Sequence, residues 1–277
     1  MKTVKIAQEF SVNEKVVAIT GGAGVLGSEI ACSLAENGAT VALLDLKNEL
    51  SKEVSERLKK AKAPYAVLQC DVLSRQSIQN ALKAILSRFG RVDVLINGAG
   101  GNHPKATTGE TMAFYDLPQD AFDWVLRLNL MGTVLPSQVF GRYFASQKKG
   151  VILNISSMNA FRPLTRIPAY SAAKAAVSNF TQWLAVHMAQ EYSPQIRVNA
   201  IAPGFFLTQQ NRYLLLDEQS GALTQRGEQI LHHTPLGRFG EPHDLLGAII
   251  WLISGASSFV TGIVVPVDGG FSAYSGV

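Results

Sequence analysis

Apolar residues in this chain alternate between two textures. Short, continuously apolar and β-branched runs at Val16–Thr20, Thr40–Leu44, Tyr65–Gln69, Val92–Asn97, Val151–Ile155, Ile196–Ile201 and Gly262–Val267 predict seven strands. Unbroken apolarity is what a parallel sheet covered on both faces requires. Between these runs the pattern predicts helices at about 25–37, 48–62, 74–89, 119–147, 170–192 and 241–254. Gly38, Gly90 and Gly150 supply stop signals, and Ser74 an N-cap for the third helix. Strand and helix in regular alternation predict an α/β chain: a single-domain Rossmann fold with a doubly wound seven-stranded parallel sheet. No repeat, low-complexity tract or linker divides the 277 residues. One domain is expected, with a glycine-rich cofactor half at about 14–155 and a catalytic and substrate half at about 156–277.

Two segments break the rhythm, Gly98 to Pro118 and Pro203 to about Thr234, the second Leu-rich and partly helical in pattern. Both leave carboxyl ends of strands, where open α/β sheets bind ligands, so both are read as lids.

Composition narrows the classes. Hydrophobic residues are 47% and charged residues 17%, enough apolar material for a large core. The net charge of +4 is dispersed, and Lys and Arg never run beyond pairs (Lys59-Lys60, Lys148-Lys149), so no nucleic-acid partner is expected. The longest apolar stretch, Leu245 to Ile253, is too short to span a bilayer, and the N-terminus has no apolar core of a signal peptide. No membrane partner and a cytoplasmic location are expected. Cys32 and Cys70 read as buried thiols. No Cys, His or carboxylate cluster has ligand spacing, so no metal is expected.

The candidate chemistry lies at strand ends. Gly21, Gly22, Gly24, Val25, Leu26 and Gly27 follow the first strand and open the first helix. Glycines there let backbone amides approach a pyrophosphate, and the helix N-terminus adds positive potential. Asp45 ends the second strand, where a carboxylate accepts hydrogen bonds from both ribose hydroxyls and repels a 2′-phosphate, favouring NAD over NADP. Lys47 is the nearby cation that could offset it. Asp71 and Val72 are a candidate adenine contact or a helix cap. Asn97, Gly98, Ala99 and Gly100 follow the fourth strand, where small residues let backbone reach a ribose. Pro203, Gly204, Phe206 and Thr208 follow the sixth and face the nicotinamide end.

Tyr170 precedes Lys174 by one helical turn, and Ser157 lies thirteen residues before it. A lysine on the same helical face can stabilise a phenolate, which makes tyrosine a usable acid and base near neutral pH. A serine at the adjacent strand end could bind the oxygen that the tyrosine protonates. By chance alone this Tyr-to-Lys spacing arises in roughly one such chain in three, so it needs its surroundings.

Taken in order, the glycine turn, Asp45, the Asn97–Gly100 turn, Asn129, Ser157, Tyr170 with Lys174, Pro203-Gly204 and Thr208 resemble the short-chain dehydrogenase/reductase family over nearly the whole chain. The resemblance implies a catalytic tetrad of Asn129, Ser157, Tyr170 and Lys174, with Tyr170 as general acid/base and Tyr170 and Lys174 also at the cofactor. Without it Asn129 reads as a polar helix residue. Val25 stands where the family usually has glycine, and Gly98 where it usually has a second asparagine. The segments 101–108, 158–166 and 202–208 are similar to those of the bacterial D-mannonate oxidoreductases (D-fructuronate reductases), which implies a role in hexuronate metabolism.

The similarity implies a small sugar-acid substrate whose carboxylate needs cations, for which His103, Lys105, Arg162 and Arg166 are placed, Lys105 and Arg162 foremost. Asn159 is placed to bind a substrate hydroxyl. A homotetramer is implied, with the long helices at 119–147 and 170–192 at one interface and the tail 271–277 at another. A gluconate 5-dehydrogenase-like polyol enzyme is the alternative substrate class. A nucleotide-sensing scaffold on the same fold is the non-enzyme alternative; it would be expected to lose Tyr170 or Lys174.

Overall fold

Val16–Thr20 forms strand β1 with every residue buried, as its unbroken apolar run requires. In the computed structural model, which describes residues 5–207, 212–217 and 220–276, six further strands follow: β2 (Thr40–Asp45), β3 (Tyr65–Gln69), β4 (Val94–Asn97), β5 (Gly150–Ile155), β6 (Ile196–Pro203) and β7 (Val264–Val267). All pair in parallel, in the order β3-β2-β1-β4-β5-β6-β7. The predicted seven-stranded sheet is therefore present.

The helices are α1 (Ile6–Glu9), α2 (Val25–Glu36), α3 (Lys52–Ala61), α4 (Arg75–Phe89), α5 (Gln119–Leu126), α6 (Gly132–Gln147), α7 (Pro168–His187), α8 (Arg212–Leu215), α9 (Gln225–His232) and α10 (Leu246–Ile253). Successive strand residues point to opposite faces and build two cores. On one face Val17, Ile19, Leu43 and Ile96 pack with Ile30, Leu34 and Leu58 of α2 and α3 and with Ile249 and Leu252 of α10. On the other, Ala18, Leu44, Leu95 and Ile152 pack with Ile78 and Ile85 of α4, Phe140 and Phe144 of α6 and Leu184 of α7. Strand order reverses between β1 and β4, and the crevice at their carboxyl ends is the natural ligand site of such a sheet.

Three differences from the expected elements have local causes. Helix α3 starts at Lys52 rather than 48, because Ser51 takes the N-cap and accepts from Val54 N at 3.3 Å. Strand β4 starts at Val94, because Asp93 turns its carboxylate to Val16 N at 2.8 Å and Arg91 Nε at 3.1 Å. The expected long helix at 119–147 is divided by a π-turn at Arg127–Met131. The tail packs on its own chain, with Phe271 against Phe205 (5.1 Å between rings) and His233 (6.2 Å). Among the described residues no helix is long and apolar enough to cross a membrane.

Candidate active site

The carboxyl ends of β1, β2, β4, β5 and β6 open on one cleft of about 520 Å³. The glycine turn forms one end of it. Gly21 holds φ +66°, and a Cβ there would come within 2.9 Å of the Ala99 backbone, so the turns after β1 and β4 approach as only glycine permits. Gly24 caps α2 in extended conformation, and Gly21, Gly24, Val25, Leu26 and Gly27 line the cleft. Gly22 lies behind, packed on Leu43 of β2. Asp45 lines the same end; its carboxylate accepts from Ala23 N at 3.0 Å and Lys47 N at 3.4 Å.

Val72, Gly98, Ala99, Gly100, Pro203, Gly204 and Phe206 continue the wall. Two expected cofactor contacts also make bonds within the chain. Asn97 is buried and donates to Ser137 Oγ (3.0 Å) and Asn154 Oδ1 (2.8 Å), joining β4 to β5 and α6. The Asp71 carboxylate accepts from Leu73 N at 2.8 Å and closes the turn before α4. Thr208 lies outside the described residues. Leu46, Cys70, Leu128 and Phe205 also line the cleft and were not anticipated. The one available signal was their adjacency to Asp45, Asp71, Asn129 and Phe206.

At the other end Ser157 and Tyr170 meet. Ser156 and Ser157 both follow β5, but the Ser156 hydroxyl turns to α7, 2.7 Å from Ser178 Oγ and 3.2 Å from Lys174 O. Ser157 instead draws its hydroxyl to Tyr170, which it hydrogen-bonds, and also accepts from Asn159 N at 3.3 Å. Lys174, one turn after Tyr170, is buried and donates to Ile155 O at 2.8 Å. Its Nζ lies 5.5 Å from the Tyr170 ring centre.

Asn129 sits in the π-turn, a helical irregularity that often marks functional positions. Its Nδ2 donates to Val125 O (2.8 Å) and Gly101 O (2.7 Å), and its Oδ1 accepts from Gly101 N (3.1 Å). A Cβ on Gly100 would fall 2.6 Å from Asn129 Oδ1 and 3.3 Å from Lys174 Nζ, so the two polar groups converge on one point that only glycine leaves open.

Burial dominates the electrostatics. It pushes the Tyr170 phenol above its usual range, with the Ser157 hydrogen bond pulling the other way. It lowers Lys174 from 10.5 to about 8. Both shifts oppose charge in a closed, low-dielectric pocket, so the phenol starts as a proton donor.

The expected substrate residues divide. Asn159 is buried two residues from Ser157, and its Oδ1 has no hydrogen-bond partner. Arg162 is exposed and donates to Ser272 O at 3.2 Å, tying its loop to the tail. His103 accepts from Lys105 N at 3.1 Å and packs edge-on against Trp124, while Lys105 itself is exposed. Arg226 on α9, outside the sequence expectation, is half-buried; burial, and after it the charge of Arg166, pull its guanidinium below the ordinary range.

Residues 21–272 match a family model described as enoyl-(acyl carrier protein) reductase. The uncharacterized oxidoreductase UxuB of Bacillus subtilis is 48% identical over 95% of this chain and 96% of its own. A Haemophilus influenza protein crystallised with bound NAD, provisionally named a D-mannonate oxidoreductase, superposes with a TM-score of 0.89 at 47% identity, covering 99% of this chain and 100% of that one. The 5-keto-D-gluconate 5-reductase of Escherichia coli is 32% identical over 94% of this chain and 96% of its own. The chain belongs to the short-chain dehydrogenase/reductase family of oxidoreductases.

Proposed function

We propose that this oxidoreductase interconverts D-fructuronate and D-mannonate, using NAD in preference to NADP, with Asn129, Ser157, Tyr170 and Lys174 as its catalytic tetrad. The convergence of Ser157, Tyr170 and Lys174 at one end of a glycine-walled cleft carries the reading. The cleft suits a dinucleotide: glycines where a Cβ would close the wall, a helix N-terminus at one end and the Asp45 carboxylate beyond it. When bound there, the nicotinamide supplies the hydride exchange.

The chain's own residues handle the proton and the oxygen. Tyr170, held neutral by burial, gives its proton to the ketone oxygen as that carbon is reduced, and takes one back in the oxidative direction. Ser157 donates a hydrogen bond to the same oxygen as negative charge develops. Lys174 steadies the phenolate that Tyr170 leaves and holds the adjoining ribose hydroxyls, with its own position fixed by Ile155 O. Asn129 sets the Gly100–Gly101 turn against Lys174. A proton-relaying water would take the second lone pair of its Oδ1, the first being used by Gly101 N.

The sugar-acid assignment is supported by the Haemophilus protein's provisional name and by the loop segments 101–108, 158–166 and 202–208. The Escherichia coli reductase favours the second reading, a gluconate 5-dehydrogenase-like activity on the same scaffold. Two buried, unpaired cysteines support a reducing, cytoplasmic setting. A homotetramer is supported by an exposed aromatic stripe on α7, where Phe180, Trp183 and His187 stack at 6.3 and 4.8 Å with Trp183 58% exposed.

The test is a panel of mannonate, altronate, gluconate and their keto acids, each with both cofactors, on the wild type and on Tyr170→Phe. Mannonate with NAD is expected to give the highest kcat/KM, and the phenylalanine variant to lose turnover by roughly 10²–10⁴-fold. A preference for neutral polyols, or near wild-type turnover without the phenol, overturns the proposal.

A further inference from the structure

Three consecutive residues where β5 ends each hold a different group on one turn of α7. Ile155 O accepts from Lys174 Nζ at 2.8 Å. The Ser156 hydroxyl donates to Lys174 O at 3.2 Å. Ser157 hydrogen-bonds the Tyr170 phenol. Tyr170 and Lys174 are separated by about 6 Å of helix rise, and residues 155 to 157 by about 7 Å of extended chain. The two segments therefore match in length.

The alternation of the strand explains which side chain goes where. The backbone stays extended through Ser157, at φ −164° and ψ 155°, so successive side chains keep to opposite sides beyond the paired strand. Asn154 and Ser156 share the side that meets α7. Asn154 Nδ2 donates to Thr181 Oγ1 at 2.9 Å, and the Ser156 hydroxyl lies 2.7 Å from Ser178 Oγ. With the one Ser156 proton on Lys174 O, Ser178 is the donor in that pair. Ser156 is itself anchored: it is 2% exposed, and its N–H donates to Ile201 O of β6 at 2.8 Å.

Apolar packing alone would leave this turn loosely placed. The apolar residues that α7 buries around it are Ala169, Ala173 and Val177. Small side chains fix how closely a helix lies, but they interdigitate little and so resist sliding or rotation poorly. A hydrogen bond weakens steeply with distance and angle, so it resists both. Ser156 supplies that restraint at the carbonyl of the very residue whose ammonium serves the phenolate.

We propose that Ser156, held by Ser178, is a positioning residue that fixes the Lys174 turn of α7 against the end of β5, and so sets the Lys174 ammonium and the Tyr170 phenol for proton transfer. The inference rests on the reading of Ser157, Tyr170 and Lys174 as catalytic, and deepens it. Ser156 takes no part in the chemistry, because its proton is committed to Lys174 O. Its effect comes through placement, where a shift of about 1 Å costs up to about 10²-fold in rate.

The test measures kcat, and the pH profile of kcat/KM in the oxidative direction, on the best substrate of the panel. Ser156→Ala is expected to lower kcat by roughly 10–100-fold. With Lys174 less well placed the phenolate is less stabilised, so the rising limb of the profile should move to higher pH. Ser156→Thr keeps the hydroxyl and should restore both. Ser178 lies outside the cleft lining; Ser178→Ala should lower kcat by roughly 3–10-fold with a shift in the same direction. In the Ser156→Ala background it should cost nothing further, because both serines act through one bond. If Ser156→Ala does not fold, Ser178→Ala decides alone, and wild-type kcat and profile in it overturn the proposal. So does a Ser156→Ala enzyme within about twofold of the wild type, a slower one with an unshifted profile, or additive losses from the two serines. Tyr170→Phe separates the two readings. Should it lose turnover while Ser156→Ala does not, only the tether falls. Should it turn over like the wild type, the tetrad falls and the tether with it.

Discussion

Replacing Lys174 by methionine should separate the cost of the active site from its use. In the folded chain burial lowers this ammonium from 10.5 to about 8. The unfolded chain therefore binds the proton more tightly, and at pH 7 the fold bears a penalty of about 3 kcal/mol, at 1.36 kcal/mol per tenfold change in proton affinity. The sign follows from the direction of the shift. The penalty is full below about pH 8 and disappears as the pH rises to 10.5, where the unfolded chain also loses its proton.

Methionine removes the penalty but leaves Ile155 O without its donor, an opposing cost of about 1–3 kcal/mol that does not vary with pH. The absolute gap between variant and wild type at pH 7 is thus small, while its change with pH is large. Urea unfolding of both cofactor-free proteins at fixed protomer concentration, at pH 7 and pH 10, should show the wild type gaining about 2–3 kcal/mol on the variant between the two. Titrations common to both proteins cancel in that difference. A gap constant to within about 0.5 kcal/mol would refute the claim that Lys174 is buried at an electrostatic cost. Turnover should be lost in the variant at either pH.

Three further outcomes are expected. Asp45→Ser should shift the NAD to NADP ratio of kcat/KM towards NADP by roughly 10–100-fold, checked with both cofactors on one substrate; an unchanged ratio would separate Asp45 from cofactor choice. Gly100→Ala places a methyl 2.6 Å from Asn129 Oδ1 and 3.3 Å from Lys174 Nζ, so activity should drop sharply while circular dichroism stays native. Trp183→Glu, in the exposed stripe of α7, should dissociate the proposed tetramer in light scattering; a wild type that elutes as a stable monomer would remove that assembly altogether.

The sheet was readable because its central strands are buried on both faces, so composition alone marks them; Val16–Thr20 matches to the residue, as does Tyr65–Gln69 at the half-buried edge. Strand ends were less so, since they depend on turns. Gly262 at φ +79° redirects the chain before β7, and the strand starts at Val264 rather than 262. The site was legible where spacing along one helix or one turn defines it, as for Tyr170 with Lys174. Asn129 gave no such signal, because its partners, Val125 O and the Gly101 backbone, lie on different elements. Arg226 is the extreme case. The charge of Arg166, from another loop, acts on it, and no spacing along the chain announces that.

The widened turn at Arg127–Met131 also bears on how this chain tolerates insertion and deletion. Such a turn holds one residue more than the regular helix around it. Asn129 fits there because its amide reaches back to Val125 O. Deleting any single residue between 127 and 131 would let the helix close into regular geometry, a favourable change locally. The flanking helices would keep their facing, because a widened turn and a regular one each carry the chain once round the axis. What would be lost is the place from which Asn129 reaches both Val125 O and the Gly101 backbone. This stretch should therefore bear the loss of one residue without disturbing how Phe140 and Phe144 cover the sheet, at the cost of the Asn129 contacts.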